Sequence, residues 1–524
     1  MSLVKSSATI GFFTLLSRLT GFLRDVLMAN LIGASWLSDA FFVAFKLPNF
    51  FRRLFAEGAF NAAFIPSFAA VLTAEGRASA LKFASEVMSV LLVVLLALNA
   101  VFIIFMPWIT PVFAPGFTDT QEKFDLTVTL SQITFPYILF ISLVSLLGGI
   151  LNSLGKFAAP AANPILLNLV MILGMLFLTH YTETPAHALA ISVFVAGIVQ
   201  FGWLIAICRR QDALPGIVLP RLTGRVKTML KLMAPAALGS GVQQVNLLVD
   251  VIIASHLPDA VSYLYYADRI TELPIGMIGV AVGTALLPLL SRQIREGKTE
   301  EARASMNRGI ELVMLFGIPA TLGILALAEP IIRVLYLHGA FTREDMIATM
   351  LALMAFTAGL PAFLLVKILA PGFFANHDTK TPLKIALICV VINLVLNLTL
   401  IHPFAHVGMA MATSIAGWVN ALMMARVLMK RGVFQPDAAL KRRLLRMMIA
   451  GKAMVLAVML ANFSVSAFYE GGVVLRSVTL LGVVALGMVV YGYGVWRFHA
   501  VDREELKRVF IRRQSSGKKP DEHS

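Results

Sequence analysis

The sequence predicts an all-α integral membrane protein, and three observations lead to that prediction. Of 524 residues, 58% are hydrophobic and only 14% are charged, whereas soluble domains contain about 45–50% apolar and about 25% charged residues. Apolar stretches of roughly 18 residues or more recur along the whole chain, which is typical of membrane-spanning helices rather than of a β-barrel. The chain also resembles itself at a nearly constant offset, which predicts two copies of one helical unit.

We expect fourteen transmembrane helices, with boundaries placed to within a few residues. Basic residues cluster in the loops that follow the even-numbered spans, as at Arg209, Arg210 and Lys380, and this pattern places both termini in the cytoplasm. The first span has charges in its middle and lacks a small-residue cleavage site, so we expect a retained anchor rather than a signal peptide. The predicted spans are 3–30, 35–73, 81–106, 123–153, 159–181, 186–208, 228–256, 259–292, 304–328, 346–372, 382–401, 406–429, 442–469 and 475–496.

Charge and composition also exclude several classes of protein. The net charge of +15 follows the alternate-loop pattern, which argues against nucleic acid as a partner. Cys208 and Cys389 are the two cysteines and lie far apart in apolar segments, so neither a disulfide scaffold nor a cysteine-based metal cluster is expected. The nine histidines lack zinc-site spacing, and the phosphate-binding loop of ATPases is absent. The sequence therefore predicts no metal site and no cofactor.

The internal repeat has an offset of about 223 residues. It aligns Lys46 with Arg269 and Gly116 with Gly339. Each unit contains an even number of spans, so we expect both units in the same orientation, related by a pseudo-twofold axis along the membrane normal with a cavity between them. The predicted organisation is a six-helix N-lobe at 1–215, a six-helix C-lobe at 216–437, spans 13 and 14 at 438–496, and a basic cytoplasmic tail at 497–524.

Charged side chains within the predicted spans are the observation most directly linked to function. A charge at the bilayer centre costs roughly 2.5–3.5 kcal/mol, so such residues are rare unless they face a watery cavity or a partner. In both repeats the second span is interrupted by Pro and Gly, at Pro48 and Gly58 and again at Pro274 and Gly276. Interrupted helices at matching repeat positions indicate a binding site. A cavity lined by Arg and Lys suits an anionic cargo, and a diphosphate is the obvious candidate.

Spacing groups the polar residues into two helix faces. One face carries Asp39, Lys46 and Arg53, and the other carries Ser262, Tyr265, Arg269 and Glu272. We expect Arg24 to pair with Asp39 as an outward-side gate contact, and Arg53 to pair with Glu57 as an equivalent contact on the inner side. The predicted diphosphate-binding residues are Ser17, Arg18, Arg24, Lys46, Arg52, Ser262 and Arg269; the gate residues are Asp39, Arg53, Glu57 and Glu272; further cavity candidates are Asp250 and Lys367.

Other interpretations of the same charges lead to other functions. The acidic and basic groups within the spans are near balance, so a purely structural role would be mutual neutralisation at helix contacts. A drug or cation antiporter would need a cavity dominated by acids, and the predicted cavity is basic. An enzyme acting on lipid-linked sugars would concentrate carboxylates or histidines at one face, and this sequence does not.

Seven stretches carry a resemblance to a known family: residues 17–25 (SRLTGFLRD), 39–49 (DAFFVAFKLPN), 52–53 (RR), 55–60 (FAEGAF), 265–269 (YYADR), 286–288 (LLP) and 366–373 (VKILAPGF). Together with the predicted spans, they resemble the MurJ/MviN family of lipid II flippases over essentially the whole chain. The resemblance implies the fold of the multidrug/oligosaccharidyl-lipid/polysaccharide exporter (MOP) superfamily. It also implies alternating-access transfer of an undecaprenyl-diphosphate-linked peptidoglycan precursor from the cytoplasmic to the outer leaflet, without covalent chemistry.

The same resemblance implies roles for individual residues and partners. Arg18, Arg24, Arg52 and Arg269 correspond to important cavity cations, Asp39 corresponds to an important acid, and spans 13 and 14 would form a groove for the lipid tail. The implied location is the bacterial cytoplasmic membrane, the implied partners are lipid II and membrane lipids, and a monomer is expected. Contacts with peptidoglycan synthesis enzymes, and coupling to the membrane potential or to a monovalent cation, stay open.

Overall fold

The computed structural model describes residues 3–53, 58 and 60–500, with backbone only at 3–8, 234–240, 242–243, 280–281 and 284. Throughout that part the regular structure is helical and contains no strand, which confirms the predicted all-α class. The α-helices are α1 Leu3–Ile32, α2 Trp36–Phe51, α3 Asn61–Phe113, α4 Gln121–Thr134, α5 Tyr137–Ser153, α6 Ala158–Phe177, α7 Pro185–Arg210, α8 Gly224–Ala254, α9 Ala260–Pro274, α10 Val280–Arg295, α11 Thr299–Ala326, α12 Ala328–Leu335, α13 Arg343–Phe374, α14 Lys380–Lys430, α15 Ala438–Ser464 and α16 Val473–Arg497.

Membrane-spanning length and apolarity are found in nine helical segments of the described chain, which identifies a multi-pass membrane protein. They include α3, α6, α7, α11 and α13 to α16, together with the combined segment Gln121–Ser153. The helices α1, α2, α8 and α9 lie outside this set, and they are the ones that carry Arg24, Asp39, Asp250 and Arg269. The number of fourteen spans stays a prediction.

Two of the longest helices are each divided by a kink, at a residue with non-helical backbone angles. In α3 the break is at Gly76, with φ of 82°, a left-handed conformation that favours glycine. In α14 the break is at Ala405, with φ of 48°, two residues after Pro403. These breaks lie in the loops predicted between spans 2 and 3 and between spans 11 and 12.

The predicted interruption of the second span is present in both repeats. Helix α2 contains Pro48, ends at Phe51, and continues into π-helical turns at Arg52 and Arg53. Helix α9 ends at Pro274 and continues into the π-helical segment Ile275–Gly279. A proline removes one backbone hydrogen bond, and wide π turns accommodate the extra residue and often mark functional sites. The interruptions thus lie beside the candidate charges Arg52, Arg53 and Arg269.

The described chain forms two compact units, each packed mainly within itself. Unit 1 comprises Met1–Arg269, Leu335–Ala352 and Ala386–Ala412, and unit 2 comprises Ile270–Val334, Leu353–Ile385 and Thr413–Ser524. The N-lobe and C-lobe boundaries drawn from the repeat stay a prediction.

Unit 1 contains an apolar core formed by α2, α3, α4 and α5. The ring of Phe102 stacks on that of Phe135 with centroids 4.5 Å apart. Aromatic burial of this kind fixes neighbouring helices rigidly, so the core supports the helix that carries Asp39 and Lys46. The buried core residues are Leu47, Leu95, Met106, Val128, Phe135 and Ile138.

Two repeat-related glycines of unit 1 pack against helix ends. A Cβ at Gly116 would overlap the carbonyl oxygen of Ser255, just after α8, and a Cβ at Gly339 would overlap Asn30 near the end of α1. Hydrogen bonds accompany both contacts: the Gly116 N–H donates to Ser255 Oγ at 3.1 Å, and the Ala340 N–H donates to the Asn30 carbonyl at 2.9 Å. Each repeat therefore contributes a glycine that touches the end of the other repeat's first helix.

Unit 2 holds α15 and α16 together through small residues. A Cβ at Gly487 would lie 2.8 Å from Val458, and a Cβ at Gly494 would lie 2.8 Å from Ala450. Small residues let membrane helices approach closely enough for extensive van der Waals contact. The resulting apolar cluster of Leu327, Ala450, Met454, Val458, Val483 and Tyr491 joins both helices to α11 and α12.

Candidate binding site within the membrane helices

Two arginines of unit 1 share one carboxylate. The Arg24 guanidinium donates to Asp25 Oδ1 from Nη2 at 2.6 Å and from Nε at 3.0 Å. Arg269 Nε lies 3.5 Å from the other oxygen, Asp25 Oδ2. Arg24 and Asp25 are buried, whereas the Arg269 side chain is 30% exposed. Two guanidinium groups on one carboxylate leave a formal charge of +1, which makes this group, the Asp25 cluster, a candidate anion site.

Neutral side chains orient both arginines of the Asp25 cluster. Asn168 of α6 accepts a hydrogen bond from Arg24 Nη1 at 3.1 Å, and its amide nitrogen donates to the Ser17 carbonyl at 3.0 Å. The Tyr265 hydroxyl donates to Asp25 Oδ1 at 3.1 Å and accepts from Arg24 Nη2 at 3.2 Å. The guanidinium carbon of Arg269 lies 4.6 Å from the centre of the Tyr265 ring, a cation–π distance. The arginines are therefore held in place before any ligand binds.

A second polar group surrounds Asp39 on α2. Lys123 Nζ of α4 donates to Asp39 Oδ2 at 2.7 Å, and Ser262 of α9 donates to Oδ1 from its N–H at 2.9 Å and from its hydroxyl at 2.6 Å. Asp39 is fully buried, and Lys123 also lies 4.1 Å from the centre of the Phe117 ring. Because a carboxylate stabilises the unpaired N–H groups in a helix's first turn, Asp39 fastens the start of α9 to α2 and α4.

The predicted ion pair between Arg24 and Asp39 is wrong. Arg24 bonds to Asp25, its neighbour in sequence, and Asp39 bonds to Lys123 and Ser262. Similar depth in the membrane suggested the pair, but the Asp39 side chain faces the start of α9 and α4. The contact made by Asp39 is therefore a junction of α2, α4 and the start of α9.

Lys46 and Asp250 provide further charge in unit 1. Lys46 is exposed although its neighbours Phe45 and Leu47 are buried, and it interacts electrostatically with Asp250, Asp268 and Arg269. Asp250 accepts a hydrogen bond from the Asn397 amide at 2.8 Å. Sequence spacing predicts that Lys46 and Asp39 share one helix face. In the structure the Asp39 side chain is fully buried, whereas Lys46 is exposed.

The other described site residues predicted on the N-terminal helices lie outside the Asp25 cluster and the Asp39 junction. Arg18 and Ser17 are partly buried on α1, and the Ser17 carbonyl accepts the Asn168 amide. Arg52 Nε donates to Asn49 Oδ1 at 3.0 Å, and Arg53 is exposed. Glu57 lies outside the described residues, so its predicted contact with Arg53 stays a prediction.

Glu272 and Lys367 belong to unit 2. Glu272 is partly buried near the end of α9, and Lys367 is exposed on α13. The Lys367 side chain packs beside Gly279, where a Cβ would lie 3.1 Å from Lys367 Cγ.

A titratable residue lies in the loop between α8 and α9. Burial, and secondarily the charge of Asp39, raises the pKa of Asp259 to about 6. Lys123 acts in the opposite direction, and the nearby Asp345 carboxylate raises the pKa further. The loop beside the Asp39 junction therefore carries a group that changes charge near pH 6.

Four residues of these groups, Asp25, Tyr265, Asn168 and Lys123, are absent from the site residues predicted from sequence. Asp25 follows Arg24 directly and Tyr265 lies one helical turn before Arg269, so proximity to predicted residues is the signal that could have identified both. Asn168 lies in the otherwise apolar α6, and an uncharged amide in an apolar helix is the one signal that could have identified it. Lys123 lies between Glu122 and Asp125, and this acidic segment gives no sequence signal for a basic site residue. Over the part of the chain that is described, no group of three or more His, Cys, Asp or Glu side chains is arranged to hold a metal ion.

Comparison with solved structures identifies the class of protein. A MATE-family multidrug transporter of the MOP superfamily, in an inward-facing conformation, superposes with a TM-score of 0.66, with 15% identity, over 81% of this chain and 96% of that one. The similarity at this identity concerns the fold alone. The fold and the charged groups inside its helices define a multi-pass membrane protein with the architecture of MOP-superfamily transporters.

Sequence comparison gives the family. The family model for lipid II flippase MurJ matches residues 28–481. A probable lipid II flippase MurJ from Rhizobium tropici is 41% identical over 97% of both chains, and the lipid II flippase MurJ of Burkholderia cenocepacia is 36% identical over 87% of this chain and 89% of its own. A solved lipid II flippase MurJ, inward closed, superposes with a TM-score of 0.79, with 28% identity, over 94% of this chain and 98% of that one. The chain belongs to the lipid II flippase MurJ family.

Proposed function

We propose that this protein carries lipid II, the undecaprenyl-diphosphate-linked peptidoglycan precursor, from the cytoplasmic to the outer leaflet of the bacterial cytoplasmic membrane. The observation that supports this proposal is the Asp25 cluster, in which two guanidinium groups from α1 and α9 meet one carboxylate. A diphosphate offers several anionic oxygens with the geometry that guanidinium groups bind best. Movement between leaflets makes and breaks no covalent bond, so the protein acts as a transporter and needs no cofactor.

The Asp25 cluster suggests how cargo is taken up. Arg24 Nη1 contacts only neutral acceptors in the described contacts, Asn168 Oδ1 at 3.1 Å and Met171 Sδ at 3.8 Å. A phosphate oxygen is a stronger acceptor than either. In our proposal the diphosphate approaches from the side of the partly exposed Arg269 and competes with Asp25 for both arginines. Lys46 adds positive potential, while Arg18 and Arg52 extend the basic surface that receives the headgroup.

The Asp39 junction suggests how access alternates. Because the Asp39 carboxylate holds α2, α4 and the start of α9 together, its opening would separate these elements on one side of the membrane. We propose that cargo binding and release shift the equilibrium between states in which this junction is closed and open. The protein would act as a monomer with both termini in the cytoplasm, and either the membrane potential or a monovalent cation gradient would drive it.

The experiment is complementation of cells depleted of their own flippase, with lipid II labelled separately in each leaflet. Wild type, Arg269→Ala and the control Arg292→Ala, a 67% exposed side chain on α10, are compared at matched membrane levels. We expect wild type and Arg292→Ala to restore outer-leaflet lipid II, and Arg269→Ala to lose at least 90% of it, about a tenfold effect for one lost charge-assisted contact. If outer-leaflet lipid II stays depleted in cells with well-expressed wild type, the assignment of lipid II as the cargo is wrong.

A further inference from the structure

A segment of unit 1 between α7 and α8 lies outside any helix, and we call residues 211–223 the strap. It runs along α3, where the N–H groups of Gly216 and Val218 donate to Ser85 Oγ and Ser89 Oγ, both at 2.9 Å. The two serines are one helical turn apart, about 6 Å along the axis, and two residues of extended chain cover about 6.6 Å. The match indicates that the strap is extended where it crosses the two serines.

Both ends of the strap are also fastened. Arg77 donates to the carbonyl of Gln211, and Thr223 Oγ1 donates to Glu86 Oε2 at 2.8 Å. Just beyond the strap, Arg225 donates to both oxygens of Glu75, at 2.7 and 3.0 Å. Ser85 and Ser89 are buried, so the attachment is a built feature of the fold. The strap is thus held in a fixed position on α3.

The outward side of the strap is apolar. Ile217 is 76% exposed and Leu219 is 74% exposed, and Leu214, Val218 and Leu222 are exposed as well. Large aliphatic side chains exposed together on a fixed segment mark an interaction surface. The strap cannot lie in the hydrocarbon core, because a membrane-exposed backbone there must form a helix or a closed barrel. The depth that suits both the backbone and these side chains is the interface between headgroups and acyl chains.

Basic residues surround these aliphatic side chains. Arg209, Arg210, Arg221, Arg225 and Lys227 are exposed, and Asp212 is the single acid between positions 209 and 227. Arg225 is neutralised by Glu75, so the surface available to a ligand combines four cations with protruding Ile and Leu. Anionic lipid headgroups attract such cations, and the adjoining acyl region accepts the aliphatic groups.

We propose that the strap is an interfacial anchor that binds the anionic lipid surface of the membrane, with Ile217 and Leu219 inserted below the headgroups and Arg209, Arg210 and Arg221 at the phosphates. This role is independent of the cargo. It fixes the ends of α7 and α8 at one depth in the bilayer, and it makes the position of α3 sensitive to the lipid composition of that leaflet.

The test uses a fluorescent probe at the strap in the full-length protein. In a Cys208→Ser/Cys389→Ser background, Ile217→Cys is labelled with an environment-sensitive dye and placed in nanodiscs of phosphatidylcholine with or without phosphatidylglycerol. The matched control is Lys156→Cys, an exposed position in the loop between α5 and α6 of the same unit. Leu219→Cys is a second labelling position, used if Ile217→Cys does not purify as a folded monodisperse protein.

We expect dye at 217 to be protected from aqueous iodide at least fivefold better than dye at 156, and to be quenched best by lipids with a spin label near the headgroup. Equal iodide quenching at the two positions, or strongest quenching from the bilayer centre, would overturn the proposal. Protection that arises only in native membrane vesicles, and not in lipid nanodiscs, would assign the surface to a protein partner and would also overturn it.

The role of the three arginines is tested separately, by comparing nanodiscs with and without phosphatidylglycerol. Phosphatidylglycerol should strengthen the protection at 217, and Arg209→Gln/Arg210→Gln/Arg221→Gln should abolish that increase while leaving protection in phosphatidylcholine unchanged. An identical response to both lipids in the wild-type background would show that the cations do not contact anionic headgroups, contrary to the proposal.

Discussion

Arg24 and Arg269 contact opposite oxygens of one carboxylate, with Arg24 Nη2 2.6 Å from Asp25 Oδ1 and Arg269 Nε 3.5 Å from Asp25 Oδ2. The aspartate therefore keeps two like charges close together between α1 and α9, where unpaired buried charges would be expensive. It also leaves the group with an excess positive charge. In our proposal, an external diphosphate replaces this internal carboxylate as the partner of both arginines.

Asn168 should act as a positioning residue for Arg24. We expect Asn168→Asp to keep an acceptor for Arg24 but to lose the donor to the Ser17 carbonyl, which costs about 1–3 kcal/mol in stability. The variant should also bind lipid II about tenfold more weakly, because the added carboxylate competes with the diphosphate. Asn168→Ala should lose a similar amount of stability, with a smaller change in affinity. Unfolding in detergent and lipid II binding measure the two effects. Equal losses of affinity in the two variants would indicate a purely structural residue.

Lys123 should stabilise the protein through Asp39. Lys123→Met leaves a fully buried carboxylate without its cation, and breaking a buried pair costs about 3–5 kcal/mol. Lys123→Met/Asp39→Asn removes both charges and should recover more than half of that loss. Chemical unfolding of wild type, both single variants and the double variant gives the coupling energy. Additive effects of the two substitutions would mean that the pair is energetically unimportant.

Asp259 should make stability depend on pH. Its pKa of about 6 in the folded protein lies above the ordinary value of about 3.9. The folded state therefore binds more protons than the unfolded state between about pH 4 and 6, and stability falls as pH rises through that window. Asp259→Asn suits the left-handed backbone at this position, with φ of 54°. The variant should match wild type at pH 4 and exceed it at pH 7 by on the order of 1 kcal/mol. A difference that does not change with pH would contradict this assignment.

Gly116 and Gly339 should tolerate no side chain. Alanine at either position would overlap backbone atoms of Ser255 or Asn30, and overpacking of this kind costs about 1–3 kcal/mol. Gly339→Ala carries an added backbone cost, since φ is 58°. The control is Gly202→Ala on α7, where a Cβ meets nothing within 4 Å and helix propensity should raise stability by about 0.5–1 kcal/mol. Thermal unfolding that ranks Gly116→Ala above wild type would show that the repeat-related contact is absent.

Much of the fold could be predicted from sequence because membrane helices and their breaks leave strong local signals. Pro48 and Pro274 marked the interruptions that the structure shows after Phe51 and after Pro274. The internal repeat aligns Gly116 with Gly339, and the two glycines pack in equivalent ways against helix ends. These signals are local or periodic, so they require no information about which helix lies beside which.

The contacts within the site were harder to predict, because partners depend on helix rotation and neighbours. Arg24 and Asp39 have similar predicted depths in the membrane, but they do not bind each other. Arg24 binds Asp25, and Asp39 binds Ser262. Asn168 lies on α6 and Lys123 lies on α4. Their positions in the sequence do not reveal that α6 packs beside α1, or that α4 packs beside α2. Residue type identified the charges, and only the three-dimensional structure identified their partners.

The most direct test of the diphosphate site is lipid II binding to purified protein in nanodiscs. Wild type, Arg24→Gln, Arg269→Gln and the control Arg292→Gln are titrated with lipid II and with undecaprenyl monophosphate. We predict that Arg24→Gln and Arg269→Gln each weaken lipid II binding at least tenfold, about 1.4 kcal/mol or more. Monophosphate binding should change less, and Arg292→Gln should match wild type. Unchanged lipid II affinity in both Arg24→Gln and Arg269→Gln would contradict the assignment of the Asp25 cluster as the site of the diphosphate.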